Sequence, residues 1–113
     1  MSRVSDAEFQ VVEDKGIVIC KIWNCEDTAI KRIEKHRPLK VAEFADRYKV
    51  DNVFVGVAKC SDLKKFNVED GKKLAMKRAI VKRSAAVNEK IEKYISDVEN
   101  ALTELRGYEI RDE

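Results

Sequence analysis

Apolar positions follow a strand-like pattern near the start of the chain and a helix-like pattern past residue 66. Residues 9–13 (FQVVE) and 16–23 (GIVICKIW) are rich in β-branched and aromatic types, the side chains that fit a pleated, half-buried surface. Glu13, Asp14, Lys15 and Gly16 lie between them, and a glycine free to take positive φ makes a hairpin the natural connection. In the second strand Ile17, Ile19, Lys21 and Trp23 share one face, and Val18, Cys20 and Ile22 share the other. Both faces are mostly apolar, which predicts a central strand covered on each side.

Residues 26–36 then turn charged, with Ile30 and Ile33 at helical spacing. Arg37-Pro38 interrupts that helix, because the residue before a proline is pushed out of the α region. Val41, Phe44, Ala45 and Tyr48 recur at i, i+3, i+4 and i+7, which predicts a short second helix. Residues 52–60 (NVFVGVAKC) are the clearest strand. Val53, Val55 and Val57 face one way, and Phe54, Ala58 and Cys60 the other. Gly56 leaves a notch on the second face, which a ligand or another backbone could approach closely.

After a loop over 61–66, Asn67 is placed to cap a helix, with Glu69 and Asp70 in the first turn, where the helix dipole favours negative charge. Helical spacing continues to about Arg106, and Gly107 is the expected stop. Val87, Ile91, Tyr94, Val98, Ala101 and Leu105 repeat at alternating spacings of four and three, a coiled-coil-like seam. At 1.5 Å per residue such a helix outruns a small sheet, so its distal seam is predicted to meet a second copy. The alternative is a break near Ser84-Ala85-Ala86 that folds the distal half back. The resulting expectation is one α+β domain over 1–113. It comprises a small antiparallel sheet (hairpin 9–23 plus strand 52–60), a helical insertion, and one long C-terminal amphipathic helix over about 68–106.

Composition narrows the function classes. Of the 113 residues, 44% are hydrophobic and 39% charged, with 23 Lys and Arg against 21 Asp and Glu; that near-balance lacks the strongly basic surface of a dedicated nucleic-acid coat. No apolar run approaches the ~18–20 residues of a membrane span. Cys20, Cys25 and Cys60 are sparse and contain no CxxC pair, which favours reduced thiols and a cytoplasmic setting. His36 is the single histidine and sits in a charged turn, so neither a metal site nor a cofactor is expected. No catalytic constellation, phosphate-binding glycine loop or nucleophile elbow is legible, so a non-enzymatic role is expected.

One stretch carries candidate binding chemistry. Arg78 and Lys82 lie four residues apart on the expected long helix and share a face, with Lys77 beside them. An arginine can grip a phosphate with two hydrogen bonds or stack on a base, and a neighbouring lysine adds a point charge. A solvated basic face paired with nearby acids is the plainer reading of the same residues.

The segment from Phe54 to Lys82, with its GVAKC strand end, loop closing on Phe66-Asn67, and E-x-G-x-x-L-A-x-x-R-A-x-x-K helix start, resembles small phage-encoded proteins. These are the anti-Thoeris signal sponges of the first type (Tad one). The resemblance implies a protein that sequesters a cyclic ADP-ribose-type immune messenger, with cyclic oligonucleotides as further ligands. It also implies a dimer or hexamer in the cytoplasm of an infected bacterium, with the ligand at a subunit boundary. The ligand-binding positions it implies are Ser61, Arg78 and Lys82, with Phe54 as the stacking aromatic and Phe66 as a second aromatic of the pattern. Lys64 and Leu63 depart from the acid and the proline usual in that loop. The alternative function is a small phage accessory protein that binds nucleic acid or protein, with Lys72, Lys73, Lys77, Arg78, Lys82 and Arg83 on a phosphate backbone.

Overall fold

The computed structural model describes residues 6–36 and 46–110. Among them, strand β1 (Ala7–Val12), strand β2 (Ile17–Ile22), helix α1 (Thr28–Glu34), strand β3 (Phe54–Lys59) and helix α2 (Val68–Ile110) follow in that order. The strands form an antiparallel sheet with β2 in the centre; α2 packs across β2 and β3, and α1 packs against α2. The α+β expectation and the central position of β2 therefore hold.

The β1–β2 connection is a single 3-10 turn over Glu13–Lys15, and Gly16 closes it at φ 62°. Gly16 also receives the end of β3, since the Cys60 amide donates to its carbonyl at 2.8 Å. A Cβ on Gly16 would sit 2.4 Å from the Cys60 carbonyl oxygen, so sterics as well as φ demand glycine there.

Val18, Cys20 and Ile22 of β2 are fully buried beneath α2 and join Ala58, Ala75, Ala79 and Val87 in the main core. The opposite face of β2 corrects an expectation. Ile17 and Ile19 are only half-buried, Lys21 is exposed, and Trp23 and Val57 remain 41% and 42% exposed. Apolar residues on this face are shielded mainly by cross-strand neighbours, Val12 and Lys59 beside Ile17, and Gln10 and Val57 beside Ile19. A mostly apolar strand thus reads as doubly covered although, among the described residues, no second layer covers this face.

The notch at Gly56 is occupied by backbone. A Cβ there would lie 1.9 Å from the Ala75 carbonyl oxygen and 2.4 Å from the Ala79 amide nitrogen. The alanines, four residues apart, present one smooth helix stripe to the strand, and both are 0% exposed.

Helix α2 starts as its sequence suggests, with Asn67 Oδ1 accepting from the Asp70 amide at 3.2 Å. It runs unbroken through Ser84–Ala86, and it passes Gly107 to end at Ile110. Gly107 does not stop the helix because it never enters the left-handed region; among the described residues Gly16 is the one glycine that does. A helical glycine costs about 1 kcal/mol relative to alanine, too little to end a helix without a left-handed turn. At 1.5 Å per residue, 43 residues span ~65 Å. The molecule accordingly measures 74 × 23 × 21 Å. Its radius of gyration of 20.0 Å compares with ~13 Å for a compact chain of this length.

The seam expected to meet a partner is divided. Val87 is 3% and Tyr94 7% exposed, and Ile91 and Val98 pack with them against the chain's own α1 and Tyr48. Farther out, the seam's Ala101 is half-buried and its Leu105 is 66% exposed; Leu102, one turn past Val98, is 48% exposed. Of the second insertion helix expected near 41–48, positions 41–45 and the Arg37-Pro38 break lie outside the described residues. Residues 46–48 form one 3-10 turn.

Gly56→Ala should destabilise the fold by about 3 kcal/mol, because the clash is with helix backbone rather than a movable side chain. Gly107→Ala, with nothing within 4 Å of the added Cβ, should be neutral or stabilise by up to ~1 kcal/mol. Urea denaturation of the two variants measures both.

Candidate functional site

The site residues suggested by the sequence do not converge within one chain. Ser61 is exposed beyond the C-terminal end of β3, and Phe54 opens that strand at its other end. Seven residue-to-residue steps separate them, up to about 23 Å at ~3.3 Å per step. Phe54 is half-buried and packs on the main core, so its ring is partly committed to the fold. Phe66 also packs on that core, and it lines a 250 Å³ cleft with Gly16, Cys60, Asp70 and Leu74. That cleft holds neither Arg78 nor Lys82.

Arg78 has a structural partner. Its guanidinium donates to the Val57 carbonyl at 2.7 Å, capping an outward-facing group on the free edge of β3. A guanidinium has five N–H donors, so this bond leaves the exposed side chain capacity for a ligand. Lys77 and Lys82 are exposed on the same helix.

A second cationic group, not singled out from the sequence, forms a cleft of about 450 Å³ between α1 and α2. From α1 and its C-cap it takes Thr28, Lys31, Arg32 and Lys35; from α2 it takes Arg83, Ser84 and Val87. The first four occupy i, i+3, i+4 and i+7, one helix stripe, while Ala29, Ile30 and Ile33 turn into the protein. Adjacent residues on α2 lie ~100° apart around its axis, so Lys82 and Arg83 flank the buried Ala75–Ala79 line on opposite sides. Lys82 therefore follows Arg78 on the β3 side, and Arg83 faces α1.

Four cations and two hydroxyl side chains thus line one cleft, and among the described residues no carboxylate lines it. Glu26, just before α1, is drawn away to Lys49 at 3.3 Å. Thr28 donates its hydroxyl hydrogen to the Cys25 carbonyl at 2.6 Å, leaving its oxygen lone pairs toward other donors. Arg83 is half-buried beside the Cys25 thiol; burial pushes that thiol up, and the guanidinium opposes the shift. The stripe on α1 was legible in its spacing, but the arrival of Arg83 opposite it was not.

Cleft geometry depends on a pin between α2 and the segment leading into β3. Tyr48 is 3% exposed and donates its phenolic hydrogen to Asp97 at 2.6 Å. Its ring meets Tyr94 edge-on at a centroid distance of 5.5 Å. Ile30 and Ile33 of α1 pack into the same cluster, which holds α1 against α2.

Among the described residues no group of three or more His, Cys, Asp or Glu is arranged to hold a metal ion, and no helix is long and apolar enough to cross a membrane. Searches of protein-family models, curated proteins and solved structures found no match to this chain.

Burial, then the hydrogen bond to Asp97, push the Tyr48 phenol up to about 12. The group binds its proton more tightly when folded, so its contribution is complete below pH ~10 and is lost as pH rises through about 12. Tyr48→Phe should remove ~2 kcal/mol of that high-pH dependence. The difference between wild-type and variant denaturant midpoints from pH 9 to 12 measures it.

Proposed function

We propose that this chain is a non-catalytic binding protein that captures a phosphate-bearing, nucleotide-type small molecule. The observation that carries the reading is the α1–α2 cleft, where Lys31, Arg32, Lys35 and Arg83 converge without a lining carboxylate among the described residues. Cations held together this way repel one another in the empty protein, and an anion relieves that repulsion. Two arginines supply planar donor pairs matched to phosphate oxygens, and two lysines supply point charges.

The Phe54–Lys82 resemblance supports the same class of ligand, a cyclic ADP-ribose-type messenger or a cyclic oligonucleotide. In that reading the protein sequesters an immune signal inside an infected bacterial cell. Capture requires affinity alone, so stacking and charge-assisted hydrogen bonds suffice. The subunit-boundary pocket that the resemblance implies would need a second copy, because Ser61, Arg78 and Phe54 are spread along one chain.

Self-association belongs to the same proposal. Leu102 and Leu105 continue the helical seam beyond the residues that cover Val98 and Tyr94, and the second copy of α2 is the occupant their spacing suits. Leu102→Glu/Leu105→Glu should convert an oligomer into a monomer without loss of helicity, read by light scattering with circular dichroism. A wild-type monomer at high protein concentration would rule out this part.

Calorimetry with cyclic ADP-ribose isomers and cyclic di- and trinucleotides tests the capture reading. Lys31→Glu/Lys35→Glu should weaken the best ligand by at least about tenfold, since each reversed charge acts within a few ångströms of the anion. Heat-denatured complex should release that ligand intact, whereas a cleaved product would mark an enzyme. Retardation of duplex DNA with a steep salt dependence, in place of small-molecule binding, would favour the accessory-protein alternative.

A further inference from the structure

We infer that the groove between α1 and α2 is a bipartite nucleotide site, in which an apolar cleft beside the cation cleft receives the ring of the base. The inference rests on the anion-binding reading above and identifies which part of the ligand lies where.

The second cleft has a volume of about 320 Å³ and is walled by Ile33, Ile91, Tyr94 and Ile95, with Arg32 and His36 at its margin. Arg32 belongs to both clefts. On α2 the cationic cleft uses Arg83, Ser84 and Val87, and the apolar cleft uses Ile91, Tyr94 and Ile95, on the following turns of the same helix. Their midpoints are about eight residues apart, ~12 Å along the axis. A nucleoside diphosphate can extend over that length, and a lone phosphate cannot.

Chemistry selects the occupant. Ile95 is 42% exposed in a cleft that shares Arg32 with the cationic cleft, so apolar surface stays open to water one step along the groove from strong positive charge. A purely anionic ligand would leave that surface wet, and a purely apolar one would leave the cations unneutralised. A molecule with a flat ring at one end and phosphates at the other satisfies both halves. The Tyr94 ring is fixed edge-on against Tyr48, whose hydroxyl is held by Asp97, so this wall is rigid before any ligand arrives. At the junction, the Arg32 guanidinium can lie over a ring and direct its N–H edge at a phosphate, a combination lysine cannot provide. His36 offers ring nitrogens to the polar edge of a base.

The test uses the full chain at low salt, with inorganic pyrophosphate, ADP-ribose and dodecyl phosphate titrated into wild type and Ile95→Gln. Ile95 is exposed, and glutamine is a good helix former, so the variant keeps the fold and the net charge. ADP-ribose should bind wild type about tenfold more tightly than pyrophosphate, the range expected for stacking one base. Ile95→Gln should abolish most of that increment while leaving pyrophosphate binding within twofold. Saturation transfer from the Ile95 methyl groups to the adenine protons of bound ADP-ribose should be observed in wild type. An increment unchanged in Ile95→Gln, or ADP-ribose no tighter than pyrophosphate, overturns the base site and leaves the anion site standing. Tighter binding of dodecyl phosphate than ADP-ribose assigns the apolar cleft to an acyl chain and overturns it as well. Failure of pyrophosphate and ADP-ribose alike to bind wild type removes both readings.

Discussion

The structure depends on how closely α2 lies against β3. With no side chain at Gly56 and only methyl groups at Ala75 and Ala79, helix backbone and strand backbone approach to a separation that no larger residue permits. Close packing of this kind maximises dispersion contacts, and interiors packed like organic crystals do not accommodate an added methyl cheaply. The contact sets the height of the helix above the sheet and its rotation about its own axis. Once that rotation is set, every other α2 residue has an assigned direction.

Two consequences follow for binding chemistry. One flank of α2 turns Arg78 to the edge of β3, where it satisfies the Val57 carbonyl. The other turns Arg83, Ser84 and Val87, then Ile91, Tyr94 and Ile95, toward α1. A rotation of one residue, ~100°, would bury a cation and dissolve the groove. The Tyr48–Asp97 bond and the Ile30, Ile33 and Tyr94 cluster then keep α1 at a fixed distance. The proposed site is thus a product of packing rather than of any local motif.

Much of the architecture was legible from local rules. The Gly16 turn, the Asn67 cap and the strand pattern each depend on interactions between residues close in sequence. Expectations that required knowledge of distant neighbours fared differently. The outer face of β2 carries isoleucines, and among the described residues cross-strand neighbours shield them sideways in place of a covering layer. The Val87–Val98 part of the seam turned out to pack on α1 and Tyr48 rather than continue as open surface. Periodicity reveals that a helix face is apolar, and it is silent on whose surface meets that face. Gly107 was misread for a related reason, since a glycine stops a helix only where the chain actually turns left-handed.

From the sequence alone came the element types, their order, the Asn67 cap and the Gly16 turn, all governed by propensity and spacing. Tertiary structure decided which stripes meet. It used the notch at Gly56 for backbone, left Phe54 at the start of β3, Ser61 beyond its end and Arg78 on α2, and brought Arg83 and the Ile91–Ile95 turn opposite α1. Convergence of residues fifty or more positions apart depends on the rotation and height of one helix over a sheet. Those are properties of the packed core, and local spacing carries no record of them.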